Sequence, residues 1–122
     1  EVIIKMDENI LAAASWEKQK FYFSSEYDAI PQSIKQDIQI MCVTMAEKLC
    51  CTFIMRFDED GNVYFETVRG EDDFDFDEIG AELEIKEIQR KDKELLNALR
   101  LWYLIYKTDK GESVREELLR NE

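Results

Sequence analysis

The chain has no histidine, one proline, four glycines and three cysteines in 122 residues. Without histidine there is no Ser-His-Asp or Cys-His catalysis, and no zinc ligand set built on imidazole. The four glycines never take the spacing of a dinucleotide fingerprint or a phosphate loop, so neither nucleotide motif is present. Cys42, Cys50 and Cys51 are odd in number and two are adjacent, which excludes a disulfide framework and a four-thiolate metal site within one chain. They read as small packing residues kept reduced in a cytoplasm. No apolar run approaches the ~20 residues of a membrane helix; the most apolar stretch is only Ile38 to Ala46. The first eight residues lack the charged-then-apolar order of a signal peptide, and Met6 reads as a natural start with residues 1–5 upstream of it.

Basic residues are scarce as well. Sixteen Lys and Arg stand against 28 Asp and Glu, a net charge of −12. Such a surface repels phosphate backbones and anionic lipid, which argues against nucleic-acid and membrane binding. A macromolecular partner would be a basic protein. What remains is a chain that is 45% hydrophobic and 11% aromatic, rich enough to fold, and of a length that suits one domain over residues 1–122.

The clearest local signal is a hairpin. Cys51 to Phe57 and Asn62 to Val68 are two β-rich runs around Asp58-Glu59-Asp60-Gly61, the chemistry of a type I turn followed by a left-handed residue. This turn pairs Asp58 with Asn62, sets Met55 opposite Phe65, and collects Phe53, Met55, Phe57, Val63 and Phe65 on one buried face. A one-residue slip would put that set into water. Before the hairpin, Ile34, Ile38, Met41, Met45 and Leu49 step by three and four behind Pro31, the pattern of a helix over 32–49 with proline at its first position. Ile40, Cys42, Val43 and Ala46 fill most other directions of that helix, so it is expected to be enclosed. After the hairpin, Ala81, Ile85, Ile88, Leu95, Leu99, Trp102 and Tyr106 mark a long helix over 76–107, with Gly80 and the Gln89–Asp92 patch as places for a bend or split. Ser113 and Glu116 make a capping box for a short C-terminal helix within 111–122. Residues 7–22 read as a short helix or strand through Ala12-Ala13-Ala14, leading into an extended piece at Lys20 to Phe23. The expected fold is α+β: three or four helices on an antiparallel hairpin, with a third strand from residues 2–5 or 10–14.

One charge feature stands out. Glu71, Asp72, Asp73, Asp75, Asp77 and Glu78 put six carboxylates, half the net charge, into eight residues. A helix N-terminus uses one or two acids against its dipole. The surplus marks these six residues as a candidate docking face for a basic protein, with Phe74 and Phe76 as anchors. Asp73, Asp75, Asp77 and Glu84 also copy part of a calcium-loop spacing, which keeps a divalent-cation protein as an alternative; Glu78 stands where that loop needs glycine. A small enzyme using carboxylates is the remaining class. No catalytic, cofactor or metal residue is assigned. The helix over 81–106 is long for a small domain, and its aromatic end is expected to be covered by the Ser113 helix or by a second copy in a homodimer.

Several of these segments also look alike as a set: Lys20-Phe21-Tyr22, Ile30-Pro31-Gln32-Ser33-Ile34, Phe57 to Gly61, Asp72-Asp73-Phe74 with Asp77-Glu78-Ile79, and Lys93 to Leu96 leading to Leu101-Trp102-Tyr103. Together they resemble an uncharacterised family of small acidic cytoplasmic proteins from Gram-positive anaerobic bacteria, over about residues 9–107. The resemblance implies a bacterial cytoplasmic protein with Met6 as its start, and brings no activity or site residue with it.

Overall fold

The computed structural model describes residues 9–69 and 78–107. The order of elements is β1 (Ile10–Ser15), β2 (Lys20–Phe23), a 3-10 turn (Ser25–Tyr27), α1 (Gln32–Leu49), β3 (Thr52–Phe57), β4 (Val63–Val68), α2 (Glu78–Lys91) and α3 (Lys93–Lys107). The strands form one antiparallel sheet in the order β2-β1-β3-β4. The fold is therefore α+β, with a sheet twice as wide as the lone hairpin.

The third strand comes from Ile10–Ser15 and a fourth from Lys20–Phe23. Of the helix and the strand open to the alanine run, it takes the strand, at the centre of the sheet. Alanine loses no side-chain entropy in a helix, but tertiary packing overrides that preference here. Ala12 and Ala14 are fully buried between Phe21 and Phe23 on one neighbouring strand and Phe53 and Met55 on the other. Their small side chains leave room for the rings beside them and for α1 above. Ile10 pairs with Arg56 and Ala12 with Met55, so Leu11 is the extra residue of a bulge. Leu11 and Ala12 both reach the core as a result.

The β3–β4 hairpin takes the expected register, with Phe57 opposite Val63 and Met55 opposite Phe65. Asp58 N–H bonds the Asn62 carbonyl at 2.9 Å, Gly61 N–H bonds the Asp58 carbonyl at 3.1 Å, and the Asp58 carboxylate accepts from the amides of Asp60 and Asn62. Met55 is fully buried; Phe65 is half-buried and stacks on Phe53.

Helix α1 spans the predicted residues, with Pro31 at its N-cap, one position before the expected one. Cys50 ends it in the left-handed conformation, its N–H bonded to the Ala46 carbonyl. Ile38, Met41, Cys42, Met45 and Ala46 are buried against the sheet. The enclosure expected of this helix is not found: Ile40 is 64% and Val43 41% exposed. Their positions lie off the stripe, and only one side of α1 meets the sheet. The long helical pattern divides at Asp92, inside the predicted patch, while Gly80 stays within α2. Hydrogen bonding still runs through the break, from Asp92 N–H to Ile88 and from Leu96 N–H to Asp92. The predicted C-terminal helix lies outside the described residues.

An aromatic joint closes one end of the molecule. Tyr27, fully buried, meets Phe57 at 5.2 Å and Trp102 at 5.6 Å between ring centroids, and Phe57 meets Tyr103 at 4.8 Å. Gly61 has φ +83°, a region that disfavours L side chains, and a Cβ there would sit 2.7 Å from Tyr103 Cδ1. Gly61→Ala is accordingly expected to cost about 3 kcal/mol in urea unfolding, the left-handed backbone and the ring clash both contributing. Measured in a Tyr103→Ala background, the same change should cost only the conformational part, about 1–2 kcal/mol.

Candidate functional site

A cleft of about 470 Å³ lies between α1 and the α2–α3 break. Its buried floor is Met41, Met45 and Ile88 with half-buried Leu95, all contributed by the helical stripes that also build the core. Ile40 and Thr44 stand one step round α1 and line its open side. Lys48 Nζ reaches Glu84 at 3.0 Å across one end, while Asp37, on the opposite end of α1, lines the cleft along with Asp92 and Leu95. The two helices thus flank it antiparallel. Methionine is unbranched and polarizable, which suits a floor that must adapt to a guest.

The rim is charged. Asp37, Glu84, Glu87 and Asp92 face only two cations, Lys48 and Lys91. Glu87 is ion-paired with Arg90 at the next turn. That hydrogen bond, more than any other influence, holds the Glu87 carboxyl below the usual carboxylate range and raises the Arg90 guanidinium in turn. Glu87 therefore stays ionised near neutrality.

None of the three cysteines lines this cleft. Cys42 points into the core, and burial pushes its thiol up to about 12, so no thiolate forms near neutrality. The Tyr27 hydroxyl is also raised, by burial first and then by Glu26 and Tyr103. Among the described residues no three Cys, Asp or Glu side chains gather closely enough to hold a metal ion.

Of the acidic residues predicted as a docking face, Glu71, Asp72, Asp73, Asp75 and Asp77 lie outside the described residues, as do Phe74 and Phe76. Glu78 is described: it opens α2, exposed, with Arg69 3.5 Å away. Of the calcium-loop spacing Asp73, Asp75 and Asp77 also lie outside the described residues; Glu84 stands within α2 and is paired with Lys48. The cleft itself was not predicted. Its only trace in the sequence is Ile40, an apolar residue off the buried stripe of α1. In the second half of α3, Trp102 and Tyr103 pack on Tyr27, Phe57 and Gly61 of the same chain, and Tyr106 is exposed.

These features define a small α+β domain with an open, acid-rimmed, apolar-floored groove between helices. The chain belongs to DUF6145, a family of unknown function, whose model matches residues 8–112. No curated protein and no solved structure matches it. No helix among the described residues is long and apolar enough to cross a membrane.

Thiol chemistry gives a direct check on this packing. A disulfide-exchange reagent at pH 8 should modify Cys50, which is partly exposed, and leave Cys42 and Cys51 untouched until the protein unfolds. The folded state also binds the Cys42 proton more tightly than the unfolded chain does, whose thiol ionises near 9.0. This contribution to stability is complete below pH 9 and is lost as pH rises through about 12. Unfolding curves should show that alkaline loss, and Cys42→Ala should flatten it, with the remainder belonging in part to Tyr27.

Proposed function

We propose that this domain is a non-enzymatic protein-interaction module that receives an amphipathic, basic segment of a partner protein. The observation that carries the reading is the cleft: an apolar floor of two methionines, Ile88 and Leu95 under a rim of four carboxylates and two lysines. An amphipathic helix laid between two helices would bury apolar residues on that floor and set Lys or Arg against Asp37 and Asp92. Exposed Ile40 would be its first contact on α1. The net charge of −12 adds long-range attraction, which raises the rate of encounter more than the final affinity. The acidic run Glu71–Glu78 leads in sequence directly into α2, so its charge adds to the same field.

The test uses a synthetic 18-residue Leu/Lys amphipathic helix and its Leu/Glu counterpart as probes. The Leu/Lys peptide should bind in fluorescence anisotropy and shift the methyl resonances of Ile40, Met41, Met45 and Ile88; the Leu/Glu peptide should not. Ile40→Asp, at an exposed position, should weaken binding about tenfold without lowering Tm, the loss expected when about 1.4 kcal/mol of contact is removed. Neutralising Asp72, Asp73 and Asp75 to asparagine should slow association while leaving or raising Tm. Methyl shifts confined to another surface, or equal binding of both peptides, would overturn the reading.

A further inference from the structure

The outer edge of β2 carries backbone groups that the sheet leaves unused. Ser24 N–H bonds the Leu11 carbonyl at 3.0 Å, which fixes the phase of the β1–β2 ladder. Alternation then makes Ala13–Tyr22 and Ser15–Lys20 the bonded pairs, and turns the N–H and C=O of Phe21 and Phe23 away from β1. The same phase runs through the sheet, since Trp16 N–H bonds Cys51 and Asp58 N–H bonds Asn62. Among the described residues no strand lies beyond β2. The half-buried Phe21 and Phe23 rings point to the helix side, where they wall two clefts of about 330 and 210 Å³ against α1.

We propose that this edge pairs with β2 of a second copy of the chain, antiparallel and two-fold symmetric, with Tyr22 on the axis. A two-fold axis normal to the sheet requires opposed residues to share a face. With Tyr22 at the centre, Phe21 lies opposite the partner's Phe23 and Phe23 opposite the partner's Phe21. All four outward-facing residues then exchange hydrogen bonds in two narrow pairs. Each ring meets a partner ring at the mouth of a cleft it already lines.

Charge supports the same partner. Around the edge, Lys18, Lys20, Lys35 and Lys107 offset Glu17, Glu26 and Asp28, with Lys35 on Asp28 and Lys107 on Glu26, so a chain of net charge −12 carries no excess of acid here. The antiparallel arrangement also brings the Lys18–Lys20 end of each strand to the Glu26–Asp28 end of the other. The opposite edge, β4, lacks this fit. It lies in sequence between Asp58-Glu59-Asp60 and the run from Glu71, and an antiparallel copy would bring acid to acid. Strand β2 is only four residues long, so the contact is small and belongs with weak, concentration-dependent interfaces. This inference does not depend on the helical cleft.

The decisive variant is Tyr22→Cys, made in a Cys50→Ser background. Across the axis, residue 22 would form a non-hydrogen-bonded pair with Cα atoms ~4.5 Å apart, within disulfide range. Mild oxidation should give a covalent dimer at least tenfold faster than with Tyr64→Cys, an equally exposed tyrosine on β4. Light scattering of the unmodified chain should show a dimer fraction that grows with concentration. Tyr22→Glu should abolish it with far-UV dichroism and Tm unchanged, because that side chain is exposed in the monomer. A chain that stays monomeric at every concentration, a dimer that survives Tyr22→Glu, or cross-linking no faster than the β4 control would each overturn the proposal.

Discussion

The rings of Tyr27, Phe57, Trp102 and Tyr103 bring together three segments far apart in sequence: the turn after β2, the end of β3 and the second half of α3. Aromatic pairs of this kind contribute beyond the area they bury, roughly 0.5–1.5 kcal/mol each. Lys107 completes the joint, with its ammonium 5.0 Å from the centre of the Tyr27 ring and 3.3 Å from the Glu26 carboxylate. Much depends on this contact. Backbone hydrogen bonds through Asp92 join α3 to α2, so the helix held by the aromatic joint is continuous with the one that flanks α1.

The two faces of α1 show how one helix can serve a core and an opening together. Its buried side meets Ala12 and Ala14, the smallest side chains in the sheet, and so sits close to the strands. Met41 and Met45 lie on the inward side of the helix, while Ile40 and Val43 stand largely exposed at the mouths of clefts. The bulge at Leu11 helps by adding a second consecutive core residue to β1. Cys42 is held in the same layer, which is why its thiol is inert while Cys50, at the left-handed end of the helix, is accessible.

The parts legible in the sequence are those in which the determining groups lie next to one another. Asp58, Asp60 and Gly61 contain within one turn everything that sets the β3–β4 register, and the extent of α1 follows from its stripe and from Pro31. Ala12-Ala13-Ala14 could not be read this way. Alanine is neutral toward its surroundings, and its strand conformation comes from Phe21, Phe23, Phe53 and Met55, which reach it only in three dimensions. The cleft was hidden for a related reason. Its floor residues belong to regular helical stripes, and only the antiparallel placement of α1 and α2 sets them across an opening. The free edge of β2 could not be inferred while residues 20–23 were simply an extended piece, since an edge has meaning only once the strand order is known.

That strand order also sets how the chain must fold. Each hairpin, β1–β2 and β3–β4, closes through a loop of a few residues, an event that takes ~1–10 μs. Joining β1 to β3 is different, because the 3-10 turn and all of α1 lie between them, and the entropy of that closure is lost before any contact across the seam repays it. The middle of the sheet is consequently its kinetic bottleneck, and the small alanines that line it contribute little apolar attraction to draw it shut. Formation of α1, which packs over both strands, shortens the effective span of that closure. The helix therefore acts as a splint for the sheet as well as one of its layers.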